Sequence, residues 1–192
     1  MKFCFTLLCA IGLVAAVNGM QISPECLASP NDESPMECCK APKVIPPKEK
    51  FTECLSKFPV PIDELKSGNL PPNHNCLAQC MFEQQGVMTD GMVDKDSAIS
   101  KMVAVMGSSA DWQAAAKSSA ETCYQKVAAV GAEKDGQGCS VMAGSFIECM
   151  PSLLFINCPS SAWKDSTECD QLKAHLEKGC SIMTIWKGPP PH

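Results

Sequence analysis

Cysteine restricts the fold of this chain more than any other residue type. The chain has fourteen cysteines, and two of them, Cys4 and Cys9, fall in an apolar leader, which leaves twelve. These are Cys26, Cys38, Cys39, Cys54, Cys76, Cys80, Cys123, Cys139, Cys149, Cys158, Cys169 and Cys180. An even count downstream of a leader reads as a framework of six bridges. At about 2–4 kcal/mol each, even three effective bridges rival the net stability of a whole domain. A chain held this way can tolerate a hollow interior, because its stability need not come from a fully packed core.

The leader itself has the pattern of a secretory signal. Lys2 gives a positive start, Phe5 to Val17 is an apolar run of 13 residues, and Val17-Asn18-Gly19 offers a small-residue cleavage site. Cleavage there predicts a signal peptide over 1–19 and a mature chain of about 173 residues beginning at Met20. The apolar run is too short for a membrane span, and no later stretch approaches about 18 apolar residues. The expectation is a secreted, extracellular protein without membrane insertion.

Charge narrows the partners. The full chain carries −5 and contains no arginine; removing Lys2 leaves 15 lysines against 21 acids, or −6. An acidic chain lacking the bidentate reader of guanine and phosphate is a poor nucleic-acid ligand. No polybasic run points to an anionic membrane surface, and no Asn-x-Ser/Thr sequon occurs.

The hub of the sequence is Asn75-Cys76-Leu77-Ala78-Gln79-Cys80-Met81-Phe82. Its two cysteines stand one helical turn apart on one face, so a single helix can be stapled to two other parts of the chain. Residues 20–47 carry six prolines and read as an extended arm fastened by Cys26, Cys38 and Cys39. Lys48 to Phe58 has an apolar stripe at Phe51, Cys54, Leu55 and Phe58 and predicts a helix. Pro61 to Ser67 has room for one helical turn. The hub helix starts at Asn73 or Asn75 and stops at Gly86. Asp94 caps the next, with Ile99, Met102, Val103 and Met106 on one face and Gly107 at its end. From Ser109 to Gly131 the pattern allows one long helix or two joined near Ser118-Ser119. Cys139 to Met150 is helical by pattern, and Pro151 interrupts it. Leu153 to Ile156 is an apolar run of undecided state. Asp165, three residues before Glu168, marks a capping-box start for a last helix ending at Gly179. The end, Trp186 to His192, is too rich in proline to be regular. Neither a helical repeat nor strand alternation is visible.

Chemistry finds little support. There is no Gly-x-Ser-x-Gly elbow, and His74, His175 and His192 stand in unrelated contexts. Near the stripe of the last helix, His175 reads as a surface or half-buried side chain rather than a base. Asp94 and Asp96 read as cap and first-turn charges. Cys76 and Cys80 with His74 could suggest zinc, but no Cys-x2-Cys pair accompanies them, and the reading calls for no metal and no cofactor. The methionines are more informative. Met81, Met102, Met106, Met142 and Met150 all fall on inward stripes. Any one of them suits an ordinary core, whereas five flexible thioethers together suit a wall that adapts to varied apolar ligands. Phe82, Trp112 and Phe146 add flat surfaces, Tyr124 a hydroxyl, and Leu153 and Phe155 further apolar lining.

The cysteine spacing resembles that of insect odorant-binding proteins, in particular the cysteine-rich Plus-C class. The match runs Cys54, Cys76-x3-Cys80, 42 residues to Cys123, then Cys139, nine residues to Cys149, eight to Cys158 directly followed by Pro159, and ten to Cys169. The doublet in Glu37-Cys38-Cys39-Lys40-Ala41-Pro42 belongs to the same likeness, and a slightly short gap from Cys123 to Cys139 departs from it. The resemblance implies an all-α, disulfide-locked bundle of about six to eight helices around an apolar cavity. In this chain that means an arm over 20–47, a helical core over 48–150 and an extension over 151–192, all in one domain. It implies no enzyme but a secreted carrier of small lipophilic molecules, such as odorants or pheromones, with a chemosensory receptor as the possible partner at delivery. It also implies a Cys54–Cys80 bridge, with Cys76 and Cys123 each pairing to the late chain. Two mappings of that late pair stay open. The eight-residue gap and Pro159 favour Cys149 and Cys158, whereas helix continuity, with Pro151 taken as a break, favours Cys76–Cys139 and Cys123–Cys149. The second leaves three cysteines in the arm and three in the extension to pair with each other. The competing function is a disulfide-rich interaction factor with a filled core and an apolar surface patch. A small phospholipase-like hydrolase stands further off, for want of a histidine beside a carboxylate and of a calcium loop. From Ile182 onward the apolar, proline-rich tail could cover the cavity.

Overall fold

A computed structural model describes residues 23–42, 48–61 and 70–185. The expected leader, the turn over 61–67 and the tail from Trp186 fall wholly or largely outside these residues. After a 3₁₀ turn at Pro24–Cys26, seven helices follow among the described residues: α1 (Pro35–Cys38), α2 (Lys48–Lys57), α3 (His74–Gln84), α4 (Lys95–Ala104), α5 (Ala110–Val127), α6 (Val141–Ile156) and α7 (Thr167–Glu177). A small hairpin, β1 (Met88–Thr89) with β2 (Met92–Val93), separates α3 from α4. Two further 3₁₀ turns lie at Ala128–Val130 and Ile182–Thr184. The all-α, disulfide-locked bundle is therefore observed. No helix among the described residues is long and apolar enough to cross a membrane.

Local signals place these elements. Asp94 caps α4, its carboxylate accepting from the Ser97 N–H at 2.8 Å. Ser140 opens α6, accepting from the Ala143 N–H and donating to the Gly91 carbonyl at 2.8 Å. The cap of α7 is Ser166 rather than Asp165, because Ser166 has the extended backbone and its hydroxyl accepts from the Cys169 N–H. The hairpin turns on Asp90-Gly91, both at positive φ (55° and 80°), which is the geometry a two-residue Asp-Gly turn prefers. Ala110–Val127 is one continuous helix, with no joint near Ser118-Ser119.

Pro151 does not interrupt α6, contrary to expectation; the helix runs through it to Ile156. A proline in a helix interior costs roughly 3 kcal/mol. Here burial on both sides of it opposes that cost. Phe146 and Met150 precede it in one core cluster, and Phe155 follows it in another, with Leu154 packed against both. Burying side chains of that size contributes about 1.5–3 kcal/mol each.

Two apolar clusters make the core. The first joins α3 (Ala78, Phe82), the hairpin, the second half of α5 (Ala120, Cys123, Val127) and the first half of α6 (Met142, Phe146, Met150). The second joins the arm (Cys38, Cys39), Met106, the first half of α5 (Trp112, Ala116), Phe155, α7 (Cys169, Leu172, Leu176), Ile182 and Ile185. Thus α5 and α6 run antiparallel through both clusters and form the spine.

All twelve described cysteines are bridged. Cys54–Cys80 ties α2 to α3, Cys76–Cys139 ties α3 to the loop before α6, and Cys123–Cys149 ties α5 to α6. The other three, Cys26–Cys180, Cys38–Cys169 and Cys39–Cys158, all run from arm to extension. This is the pairing that helix continuity favoured, but not for the reason of a break at Pro151. What separates Cys149 from Cys158 is position: Cys149 stands on α6 against α5, whereas Cys158 lies beyond the helix end, beside the arm.

Backbone pairing completes the arm. Lys40 N–H donates to the Ala162 carbonyl at 3.1 Å, Lys164 N–H donates to the Cys38 carbonyl at 2.8 Å, and Cys39 bridges to Trp163. The Asn31 amide donates to the Glu168 carbonyl, and Lys164–Glu33 and Lys178–Glu25 ion pairs stand at 2.7 and 3.1 Å. The arm is a strap along the extension, not a loose tail.

Candidate ligand site

Between the arm and the spine lies an apolar cleft of about 760 Å³, within the range of pockets that take drug-sized ligands. One wall is α6. Phe146, Ile147, Met150, Pro151, Leu154 and Phe155 recur at i, i+1, i+4, i+5, i+8 and i+9, which is one helical face. Trp112 from α5, Met102 from α4 and Ile182 complete that side. The opposite wall is the arm: Pro35, Met36, Cys39, Lys40, Ala41 and Pro42. Met36 is 53 % exposed and Lys40 is exposed, so this side holds the mouth.

The cleft stays open for a physical reason. Cys38–Cys169 and Cys39–Cys158 set the distance between arm and body covalently. The arm's side chains that face this distance are mostly short or ring-locked. A wall anchored by bridges need not collapse onto its neighbour to be stable. This is the arrangement of a cleft between two clusters, open on one side, rather than a chamber at the centre of the helices.

The candidate lining residues distribute as follows. Met102, Trp112, Phe146 and Phe155 come together in the cleft. Phe82 and Met142 are buried in the first cluster, Phe82 edge-on to Phe146 with ring centroids 5.7 Å apart. Met106 is buried in the second cluster. Tyr124 and Leu153 pack partly buried against the first cluster, and Met81 is half-buried on α3. Met150, one of the five stripe methionines, lines it too, and so do residues absent from the candidate set: Ile147, Leu154, Ile182 and the arm segment. A helical stripe carried across Pro151 would have identified Ile147 and Leu154. Nothing in the local pattern of the arm marks it as a wall.

One histidine does stand beside a carboxylate, a pair invisible in the sequence. His74 Nε2 lies 2.9 Å from Glu148 Oε1, linking the start of α3 to the middle of α6. The other ring nitrogen, Nδ1, is 2.9 Å from the Pro71 carbonyl, which can only accept, so Nδ1 carries a hydrogen and donates. Both ring nitrogens are thus engaged within the fold, leaving neither placed to activate a hydroxyl or water. The pair reads as a bolt between helices. His175 is buried, with Nε2 2.9 Å from the Thr184 hydroxyl, and burial lowers its pKa.

Glu148 has a measurable consequence. Burial pushes its carboxyl above the ordinary 4.5, and the adjacent imidazole offsets this only in part. A carboxyl raised in the folded state contributes stability that is full below 4.5 and is lost as pH rises through the raised value. Glu148→Gln removes that dependence. The variant should therefore gain stability relative to wild type between pH 4 and 7, as read from urea midpoints at both. A difference that stays flat or reverses contradicts this.

Metal binding is poorly served. Cys76, Asp135 and Cys139 offer three ligand atoms within 4.8 Å, but the two sulfurs are bonded to each other. Cys80, suggested with Cys76 and His74, is bonded to Cys54. A disulfide provides no thiolate for zinc. Asp135 is instead structural: its carboxylate accepts from the Cys139 and Gln137 N–H groups and from the Asn75 amide at 2.9–3.0 Å, and these bonds hold its pKa low.

Sequence comparisons give the same direction as the cysteine spacing. A family model described as AgamOBP47-like matches residues 42–175. General odorant-binding protein 67 of Anopheles gambiae is 24 % identical over 157 residues, covering 79 % of this chain and 76 % of that protein. Odorant-binding protein 47 of the same organism is 23 % identical over 183 residues, covering 89 % and 78 %.

Proposed function

Because this chain belongs to the AgamOBP47-like family of odorant-binding proteins, we propose that it is a secreted, non-enzymatic carrier that seats small hydrophobic molecules in the cleft between α6 and the arm. The cleft carries this reading. Its volume of about 760 Å³ suits a small lipophile, and its lining side chains are apolar except for Lys40 and the Trp112 indole N–H. Moving roughly 300 Å² of apolar ligand surface and a similar area of cleft wall out of water contributes about 15 kcal/mol at 25 cal/mol per Å², before association costs of about 4 kcal/mol or more. That leaves micromolar binding within reach. Three methionines on the lining, Met36, Met102 and Met150, allow the walls to adapt to different shapes. The leader over 1–19 would direct the chain outward, where the six bridges persist. A chemosensory receptor would be the partner at delivery. The competing interaction factor calls for a filled core, and the cleft argues against it.

Titration with the neutral fluorophore N-phenyl-1-naphthylamine tests the reading. One saturable site with a micromolar Kd is expected, with displacement by apolar volatiles. Ile147→Glu, which puts a charge on the half-buried α6 wall, should weaken binding at least about tenfold while leaving the helical circular dichroism unchanged. Absence of saturable binding to wild type contradicts the proposal.

A further inference from the structure

The polar side chains among the cleft's lining residues are of one kind. Among its lining side chains, Lys40 Nζ and the Trp112 indole N–H are the nitrogen donors, and none of these side chains carries an oxygen. Neither Lys40 nor Trp112 makes a side-chain hydrogen bond or ion pair among the described residues. The nearby lysines differ. Lys164 is committed to Glu33 at 2.7 Å, and the Lys173 ammonium lies over the Trp163 ring at 5.3 Å. A lining with donors and no side-chain oxygen accepts ligands whose polar end is an acceptor. A charged donor among them favours an anion.

Lys40 is also held in place. Its N–H is bonded to the Ala162 carbonyl, and the preceding residue is locked by Cys39–Cys158. Its backbone therefore loses no freedom when a ligand arrives. The chain as a whole is acidic, at −5. Its general field works against anions, so an anionic ligand needs a local cation of this sort.

We propose that the cleft takes a monocarboxylate with a long apolar body, its chain along α6 and its carboxylate at the mouth on Lys40. This rests on the carrier reading and names the ligand class for the same cleft. No covalent step is involved.

The test is competition against N-phenyl-1-naphthylamine by three compounds of equal chain length, hexadecanoic acid, hexadecanol and hexadecylamine, each below its aggregation limit at neutral pH. Wild type should bind the acid about two- to fivefold more tightly than the alcohol, the range of an exposed ion pair, with the amine weakest. Raising the salt should shrink the ratio. Lys40→Gln should bring the ratio to about one, and Lys40→Glu should place the amine above the acid. Lys40 is exposed, so neither variant should disturb folding. If wild type binds acid and alcohol equally, or if Lys40→Gln keeps the preference, the carboxylate proposal falls while the carrier stands. If neither the fluorophore nor any of the three compounds binds, the carrier reading falls and takes this proposal with it.

Discussion

Replacing Gly144 with alanine should destabilise the protein by about 1–5 kcal/mol, although alanine is the better helix former. Gly144 is buried in α6, where the Asn75 and His74 side chains of α3 pack onto the α6 backbone. A Cβ at this position would overlap the Asn75 amide oxygen and meet His74 Cδ2 at 3.2 Å. Asn75 has no easy retreat. Its amide nitrogen is bonded to Asp135, which in turn holds the loop that carries Cys139. Two costs therefore add: overpacking, about 1–3 kcal/mol, and a buried hydrogen bond lost, about 1–3 kcal/mol. The gain in helix propensity, about 1 kcal/mol, offsets part of this. Gly136→Ala is the control, since a Cβ there meets nothing within 4 Å; it should stay within about 0.5 kcal/mol. Asn75→Ala combined with Gly144→Ala should cost less than the two singly, because the colliding amide is gone. Guanidinium unfolding with the disulfides intact reads all four. A Gly144→Ala midpoint equal to that of Gly136→Ala contradicts the close approach.

The bridges should separate stability from binding. Cys39→Ala with Cys158→Ala removes the closure that sets the arm against the body, while Cys54→Ala with Cys80→Ala removes one between α2 and α3. Each pair should lose about 2–4 kcal/mol of stability. Only the first releases a wall of the cleft, since neither Cys54 nor Cys80 lines it. Fluorophore affinity should fall about tenfold for the first, because arm side chains must then be ordered on binding at about 0.5–1.5 kcal/mol each. For the second it should stay within about twofold. Equal loss of affinity in both would mean that binding follows global stability rather than the arm.

The fold was legible where one signal sufficed. Parity and compartment announced a disulfide framework, and apolar stripes with Asp94 and Gly86 marked helices close to their observed ends. It became illegible where tertiary burial overrides a local rule. Pro151 is a helix breaker by chemistry, yet α6 passes through it because Phe146 and Met150 on one side and Phe155 on the other are all buried. The same misreading hid the continuous wall from Phe146 to Phe155. The cap at Ser166 was lost to a neighbouring Asp165 that carries an equally good capping side chain. Met102, Trp112, Phe146, Met150 and Phe155 meet in the cleft, and Phe82, Met106 and Met142 are in the core, since an inward stripe does not distinguish facing a void from facing a neighbour. The arm contributes to the site through bridges spanning 119 and 131 residues, and such contacts leave no periodicity to read. His74 and Glu148, 74 positions apart in sequence, meet for the same reason.

The central claim is the place of the ligand. A long-chain alcohol bearing a diazirine near its apolar end, photolysed in the complex and mapped by peptide mass spectrometry, tests it most directly. Adducts should concentrate on residues 35–42 of the arm and 146–155 of α6, and excess hexadecanol should suppress them. Adducts confined to surfaces remote from the cleft, such as those carrying the exposed Leu27 or Met92, or labelling that hexadecanol fails to suppress, would contradict the account.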